Sequence, residues 1–263
     1  MKITGIVKPT TFVEASDLAT KTRQVLRKKK LVYVEKDGIF RGMIDRTAAL
    51  QILGNKSMLT ALDIAKLPTY TTTPDDTVAH VARKMVKYNT YILPVCENDR
   101  PMGYVGMSDV LAIMLFEKEI VAKRTMEEVM RRYPIYVESG DSVIKLWNIM
   151  EEIQFSGVPV VSVTPSRRDK FLKLAGYVSK KDLLSSGNVR QALDANAGLA
   201  NPPKVEKIMN RSPKVLGPHD TVSTFVEDII RFDISRIPIV NEGYGLEGIV
   251  GKMDVLKLLV EGI

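Results

Sequence analysis

Three places in the chain have an acidic residue at a spacing that suits the binding of a polar ligand. In GYVSKKDLL, Ser179 stands three residues before Asp182, and Asp109 and Asp254 stand three residues after a glycine in similar phrases. If a helix begins there, its first amides can bind an anion and the carboxylate can accept hydrogen bonds from a sugar diol. The same spacing also forms a capping box or complements the helix dipole, so the residues alone leave both interpretations open.

A fourth phrase departs from this pattern. In GMIDRTAAL, Asp45 takes the place of the hydroxyl and Ala48 takes the place of the carboxylate. A site at this phrase lacks the diol acceptor, and we expect it to be empty.

The four phrases indicate internal duplication. They begin at glycines that lie 61, 73 and 72 residues apart, namely Gly42, Gly103, Gly176 and Gly248. Such periods exceed those of common solenoid repeats, which are about 20 to 50 residues, and fit a small repeated subdomain.

The same order of elements is predicted around each phrase. A turn with N-cap residues comes first, as in Asp76-Thr77, Asp141-Ser142, Asp220-Thr221 and Ser16-Asp17. Apolar residues at helical spacing follow, for example Val78, Val81, Ala82 and Met85. Two short β-branched runs then predict a hairpin, in which Val32 of the first copy replaces the proline of ILPV, GVPVV and IPIV. A short helix ends each unit, and a strand precedes it in YPIYV and SPKVL.

Two segments interrupt the repeats. The third hairpin contains SVTPSRRDKFLKL, in which Arg167, Arg168 and Lys170 predict a solvated loop. Residues 185–204, rich in Ala, Asn, Gly and Pro, predict a linker with one short helix.

Composition narrows the class of protein. The 263 residues are 45% hydrophobic and 26% charged, which is typical of a globular chain, and no apolar run approaches the roughly 18 residues of a membrane span. The N-terminus has no apolar region typical of a secretion signal, so we expect a cytoplasmic protein. The single cysteine, Cys96, excludes an internal disulfide, and the net charge of +7 favours anionic partners.

The repeated proline-containing strand, hairpin and G-h-h-S/T-x-x-D/N ending resemble the CBS (cystathionine β-synthase) domain family over essentially the whole chain. Four copies in one polypeptide are similar to the γ subunit of AMP-activated protein kinase and to stand-alone archaeal four-repeat proteins. The resemblance implies an α/β fold of four β-α-β-β-α repeats, arranged as two tandem modules in a disc. The expected boundaries are 1–60 for a degenerate first repeat, 61–122, 123–190, and 191–263 for the linker and the fourth repeat.

The resemblance also implies adenosine-containing ligands, of the AMP, ADP, ATP or S-adenosylmethionine type, in clefts between paired repeats. Ribose contacts would come from Asp182, Ser179, Asp254 and Asp109. For phosphate, Arg236 in SRIPIV is the first candidate, followed by the arginines before first strands, Arg131, Arg132 and Arg211. The adenine walls would be Ile135, Val137, Val158, Pro159, Val215, Ile237 and Pro238, for which an ordinary core role is the alternative.

The expected function is therefore regulatory. His80 and His219 have no partner at catalytic spacing, and no P-loop, zinc-protease or nucleophile motif is present, so we predict neither an enzyme nor a metal site nor a cofactor. A sensor would transmit ligand occupancy, for example of energy status, to an effector protein that the sequence does not name. Two alternatives remain: a nucleic-acid or polyanion-binding protein that uses its basic surface, and a homodimeric scaffold that binds no small ligand.

Overall fold

A computed structural model describes residues 1–50, 58–98, 100–153, 155–165, 170–185 and 202–261. The predicted linker, apart from its two ends, and the loop tip with Arg167 and Arg168 lie outside these residues. Within the described ranges, no helix is both long enough and apolar enough to span a bilayer.

Each repeat has a helix, a hairpin and a second helix, as the sequence predicts. The first repeat contains β1 (Thr11–Glu14), α1 (Ala19–Leu26), β2 (Leu31–Lys36), β3 (Ile39–Asp45), α2 (Arg46–Leu50) and α3 (Ala61–Ile64). The second contains α4 (Val78–Lys87), β4 (Ile92–Glu97), β5 (Arg100–Gly106), α5 (Met107–Phe116), α6 (Glu119–Ala122) and α7 (Met126–Val129).

The other two repeats follow the same order. The third comprises β6 (Arg131–Arg132), β7 (Val137–Glu138), α8 (Val143–Glu152), β8 (Gly157–Pro165), β9 (Lys170–Ser179) and α9 (Lys180–Ser185). The fourth comprises a 3-10 helix (Val205–Lys207), α10 (Val222–Arg231), β10 (Arg236–Val240), β11 (Leu246–Gly251) and α11 (Lys252–Glu261).

Side-chain caps start three of the first helices at the predicted places. Thr77, Ser142 and Thr221 each accept a hydrogen bond from the backbone amide three residues later, and so satisfy one of the free amides of α4, α8 and α10. The prediction for the first repeat is wrong, because α1 has Leu18 at its N-cap and no side-chain cap there. Asp17 instead accepts from the amide of Glu14 and pairs with Lys21.

Register in the hairpins corrects two details. Tyr33 pairs with Met43 as Pro94 pairs with Tyr104, so Tyr33, and not Val32, takes the place of the proline in the first repeat. In the third hairpin, most of the insertion predicted as a loop continues β8 and β9, in register from Ser162 opposite Lys173 to Pro165 opposite Lys170. The alternating apolar residues Val161, Val163, Leu172 and Leu174 are compatible with this extension.

The segment that precedes each repeat lies along a hairpin of a different repeat. Lys8 bridges to Tyr104 on β5, Lys66 to Met43 on β3, and Asn210 to Tyr177 on β9, while β6 pairs antiparallel with β11. The glycine that begins each phrase lies at this contact. A Cβ atom on Gly42 or Gly176 would lie 3.0 Å from the carbonyl oxygen of Lys66 or 2.7 Å from that of Asn210, so only glycine lets the two backbones approach.

The chain divides into two compact units, each built from alternate repeats. One consists of Met1–Pro9, Thr69–Pro134 and Lys214–Ile263, and the other of Thr10–Pro68 and Ile135–Pro213. In the first, α5 contacts α4, α10 and α11 around a core that includes Ile3, Met85, Leu111 and Phe225. In the second, α2 contacts α1 and α9, and the core includes Leu26, Val34, Leu146 and Val158.

Candidate functional site

The candidate carboxylates lie in the first turns of α5, α9 and α11, where helix amides and the helix dipole favour negative charge. Each turn follows directly from the second hairpin strand, so the strand end fixes the position of the aspartate. In α11, the Asp254 Oδ2 atom accepts a hydrogen bond of 2.9 Å from the amide of Gly251. Asp254 is thereby oriented by its own helix before any ligand is considered.

Asp182 forms the capping box that its spacing predicts. Its Oδ2 atom accepts from the Ser179 amide at 2.8 Å and from the Ser179 hydroxyl at 2.6 Å. The return bond, from the Asp182 amide to Ser179 Oγ, is long at 3.4 Å. In the first repeat, Asp45 accepts from the amide of Ala48 at 2.8 Å, so this aspartate caps α2 in place of a hydroxyl.

Two arginines approach Asp254. Arg131, on β6, donates from Nε to Asp254 Oδ1 at 2.7 Å and brings its terminal nitrogen to 2.5 Å from the same oxygen. Arg236, at the start of β10, passes beside Gly251: a Cβ atom there would lie 3.1 Å from Asp254 Oδ2 and 3.3 Å from Arg236 Nε. Glycine therefore leaves room for a guanidinium next to the carboxylate, which provides an acceptor for a diol beside two donors for an anion.

Asp109 pairs with a cation that the sequence analysis missed. Lys8 Nζ lies 2.8 Å from Asp109 Oδ1, because the bridge between Lys8 and Tyr104 places the segment before the first repeat beside α5. Burial lowers the pKa of Lys8, but the hydrogen bond to Asp109 and the charges of Asp109 and Asp233 outweigh it, so the pKa is raised above 10.5. The one available signal was that Lys8 stands before the first repeat much as Arg131 stands before the third.

Register shows that Lys8, Lys66, Arg131 and Asn210 occupy equivalent positions, each beside the phrase of another repeat. The cation and the carboxylate coincide only in the second and fourth repeats. In the third repeat, Asn210 replaces the cation opposite Asp182, and in the first, Ala48 replaces the carboxylate opposite Lys66. The four sites therefore differ in charge although their backbones are alike.

The other two predicted phosphate contacts are directed elsewhere. Arg132 Nη2 lies 3.1 Å from Glu127 Oε1, and Arg211 Nη2 donates to the carbonyl oxygen of Glu206 at 3.1 Å. Arg131 and Arg236 are thus the two of the four arginines that the structure brings beside a candidate aspartate.

The predicted adenine walls fall into three groups. Val137, Val158 and Ile237 are fully packed in the two cores. Pro159 and Pro238 are buried on the hairpins, whereas Val215 is partly buried and Ile135 is 44% exposed. The apolar surface open to a ligand among these residues is therefore that of Ile135 and Val215.

Solved structures share this fold. The crystal structure of protein MJ1225 from Methanocaldococcus jannaschii, a proposed archaeal homologue of γ-AMPK, matches with a TM-score of 0.81 at 17% identity over 98% of this chain and 99% of that one. An uncharacterized conserved protein from Pyrococcus horikoshii matches with a TM-score of 0.65 at 20% identity over 99% and 100% of the two chains. At these identities the likeness shows the fold.

Sequence comparison adds the family. The uncharacterized protein MJ1225 is 29% identical over 123 residues, which are 43% of this chain and 41% of that protein. The CBS domain matches three segments, 61–115, 126–187 and 205–261, which contain the phrases of the second, third and fourth repeats. These segments make up more than half of the residues, and the chain belongs to the CBS domain family.

Proposed function

We propose that the protein is a regulatory sensor that binds adenosine-containing ligands at the first turns of α5, α9 and α11. The observation that carries this proposal is the arrangement at α11, where the carboxylate of Asp254 lies beside the guanidinium groups of Arg131 and Arg236. A ribose 5′-phosphate needs both features, a diol acceptor and an anion-binding group, within a short distance of one another. A simple helix cap needs no arginine.

The phosphate contacts in this proposal come from Arg131 and Arg236, and the diol contacts from Asp109, Asp182 and Asp254. Ile135 and Val215 would contact the base. The first repeat, which has Ala48 at the carboxylate position, would bind no diol.

Such a ligand would act by binding one conformation of the protein more tightly than another. A ligand can shift a conformational equilibrium only by its differential affinity for the two states, and a partner protein would detect the shift. The proposed role is regulatory and needs no catalytic group.

Thermal unfolding with a panel of ligands tests the proposal. AMP, ADP, ATP, S-adenosylmethionine and methylthioadenosine would be compared with guanosine as the control. A ligand at about 100 times its dissociation constant should stabilise the protein by roughly 2.7 kcal/mol, which raises the midpoint by several degrees.

Three single variants locate the occupied site: Asp109→Asn, Asp182→Asn and Asp254→Asn. Asparagine still caps a helix, so each variant should fold while losing the charge that binds the diol. We expect about ten- to a hundredfold weaker binding at the affected site, because a charge-assisted hydrogen bond is lost.

Asp220→Asn is the matched control, since Asp220 accepts an amide hydrogen bond in a turn of the fourth repeat without belonging to the site. If no adenosine compound changes the midpoint, the proposal is wrong. Binding of polyanions that weakens steeply with salt would then favour the nucleic-acid alternative.

A further inference from the structure

The pairing at α11 presents a conflict that bears on the class of ligand. Arg131 makes its two contacts with Oδ1 of Asp254, and the Gly251 amide uses Oδ2. A ribose diol that donates two hydrogen bonds to this carboxylate would compete with Arg131 for Oδ1. A ligand that offers nothing in return would leave the guanidinium without its partner.

The two members of the pair differ in freedom. The Asp254 side chain is 14% exposed and is fixed by the first turn of α11, whereas the Arg131 side chain is 54% exposed at the end of the short strand β6. Arg131 is therefore the member that can move, and separating a half-exposed ion pair costs little because water screens it.

A second guanidinium makes an anion the natural replacement partner. Arg236 lies beside Gly251 and reaches the Tyr91 hydroxyl at 3.4 Å. Arg131, Arg236 and Asp254 together carry one net positive charge. Once a diol occupies Asp254, the two guanidinium groups would face the ligand with no carboxylate between them, which suits a phosphate.

We propose that the α11 site selects a phosphorylated adenosine ligand by exchange, in which the ribose diol takes Oδ1 of Asp254 and the released Arg131 binds the phosphate beside Arg236. This inference rests on the proposed function and specifies which ligand one of its sites accepts. Arg131 is then a specificity residue with opposite effects on the two ligand classes: it opposes the bare nucleoside and favours the nucleotide.

The α5 site lacks the balance that the exchange needs. Lys8 contacts Asp109 at 2.8 Å and also feels the charge of Asp233, so one cation faces two carboxylates there. Displacing Lys8 from Asp109 would leave it near a second negative group. We therefore assign selection for phosphate to α11.

The test measures AMP and adenosine binding by titration calorimetry on the full chain. Asp109→Asn and Asp182→Asn form the parent background, which leaves Asp254 as the intact diol carboxylate of the three. Arg131→Gln is then added to this parent. The matched control is Arg132→Gln, which removes the same charge one residue along, from a side chain paired with Glu127.

We expect Arg131→Gln to weaken AMP binding about tenfold or more, because charge-assisted contacts to phosphate are lost. The same change should strengthen adenosine binding about two- to fivefold, because the diol no longer competes with an ion pair. Arg132→Gln should leave the ratio of the two affinities within about twofold of the parent.

Equal weakening of both ligands by Arg131→Gln would mean that the arginine only supports the structure and would overturn the exchange. Loss of AMP binding with no gain for adenosine would overturn it as well. If the wild-type protein binds neither compound, the proposed function fails together with this inference. A changed circular dichroism spectrum would disqualify Arg131→Gln, and Arg131→Lys, which retains a cation without the fork, should then give the intermediate ratio.

Discussion

Asp109, Asp182 and Asp254 are the same side chain at the same place in three repeats, yet each has a different partner. Lys8, Ser179 and Arg131 respectively contact them, because the residue opposite each phrase comes from a distant segment. A carboxylate of this kind has no fixed role of its own. Its role depends on whether the opposing side chain is charged, polar or absent.

Another carboxylate illustrates a purely structural role and gives a prediction about pH. Asp76, in the turn before α4, accepts hydrogen bonds from the Thr72 hydroxyl, the Thr73 amide and Lys84. Burial raises the pKa of Asp76, but these bonds outweigh it and lower the pKa below 3.8. A carboxyl group with a depressed folded pKa stabilises the protein above its unfolded pKa, and the stabilisation is lost as the pH falls through the folded value.

We therefore expect Asp76→Asn to lower the free energy of unfolding at pH 7 by about 1 to 3 kcal/mol. It should also reduce the loss of stability between about pH 4 and pH 2, because the titrating group is gone. Urea denaturation at a series of pH values measures both effects. Asp75→Asn is the control, since Asp75 is 80% exposed in an ion pair with Lys2. An unchanged pH dependence in Asp76→Asn would contradict the assignment.

At the scale of elements, the edge contact between a preceding segment and a hairpin determines which side chains meet. The glycine at the head of each phrase permits this contact, and its carbonyl neighbour belongs to the residue whose side chain reaches the helix. At Gly103 a Cβ atom would overlap the carbonyl oxygen of Lys8. A single glycine thus serves both the fold and the placement of Lys8.

Gly103→Ala tests this role. We expect it to destabilise the protein by about 1 to 3 kcal/mol, since the added methyl group forces two backbones apart. This corresponds to a fall in the melting midpoint of several degrees. Gly140→Ala is the matched control, because nothing lies within 4 Å of its Cβ position. Equal midpoints for the two variants would show that the edge contact yields easily.

Much of the element pattern could be predicted from the sequence, because it is local. The helical spacing of Val78, Val81 and Met85 predicts α4, and the hydroxyls of Thr77 and Thr221 predict where α4 and α10 begin. The exception at Leu18 is also local, since no residue at that position of the first repeat offers an acceptor.

The ion pairs of the candidate site could not be predicted in the same way. Arg131 and Asp254 are 123 residues apart, and Lys8 meets Asp109 only through the bridge to Tyr104. Spacing within one repeat carries no information about which segment lies along its hairpin. The phosphate candidates Arg131 and Arg132 are adjacent in sequence, and only strand geometry directs one to Asp254 and the other to Glu127.

At the scale of the whole molecule, each compact unit draws on both halves of the chain. The core of one unit joins Met85 and Leu111, from the second repeat, to Phe225 and Leu256, from the fourth. The helices α5 and α11 contact each other within it. Neither half of the chain therefore contains a complete core.

A fragment ending at residue 122 should not be a folded monomer. It retains α4 and α5 but lacks the side chains of α10 and α11 that cover them, so a large apolar surface would be exposed. We expect self-association in light scattering or binding of a hydrophobic dye, which the full chain should not show. A monomeric fragment with a cooperative unfolding transition would contradict this expectation.

The interleaving of the repeats also has a consequence for synthesis on the ribosome. Ile3 is fully buried in the same core as Leu259. At about 5 to 20 residues per second, the first of these residues leaves the ribosome roughly 10 to 50 s before the second. During that interval, the nascent chain exposes apolar helix faces whose partners have not yet been made. We expect the growing polypeptide to depend on chaperones that shield such faces until translation is nearly complete.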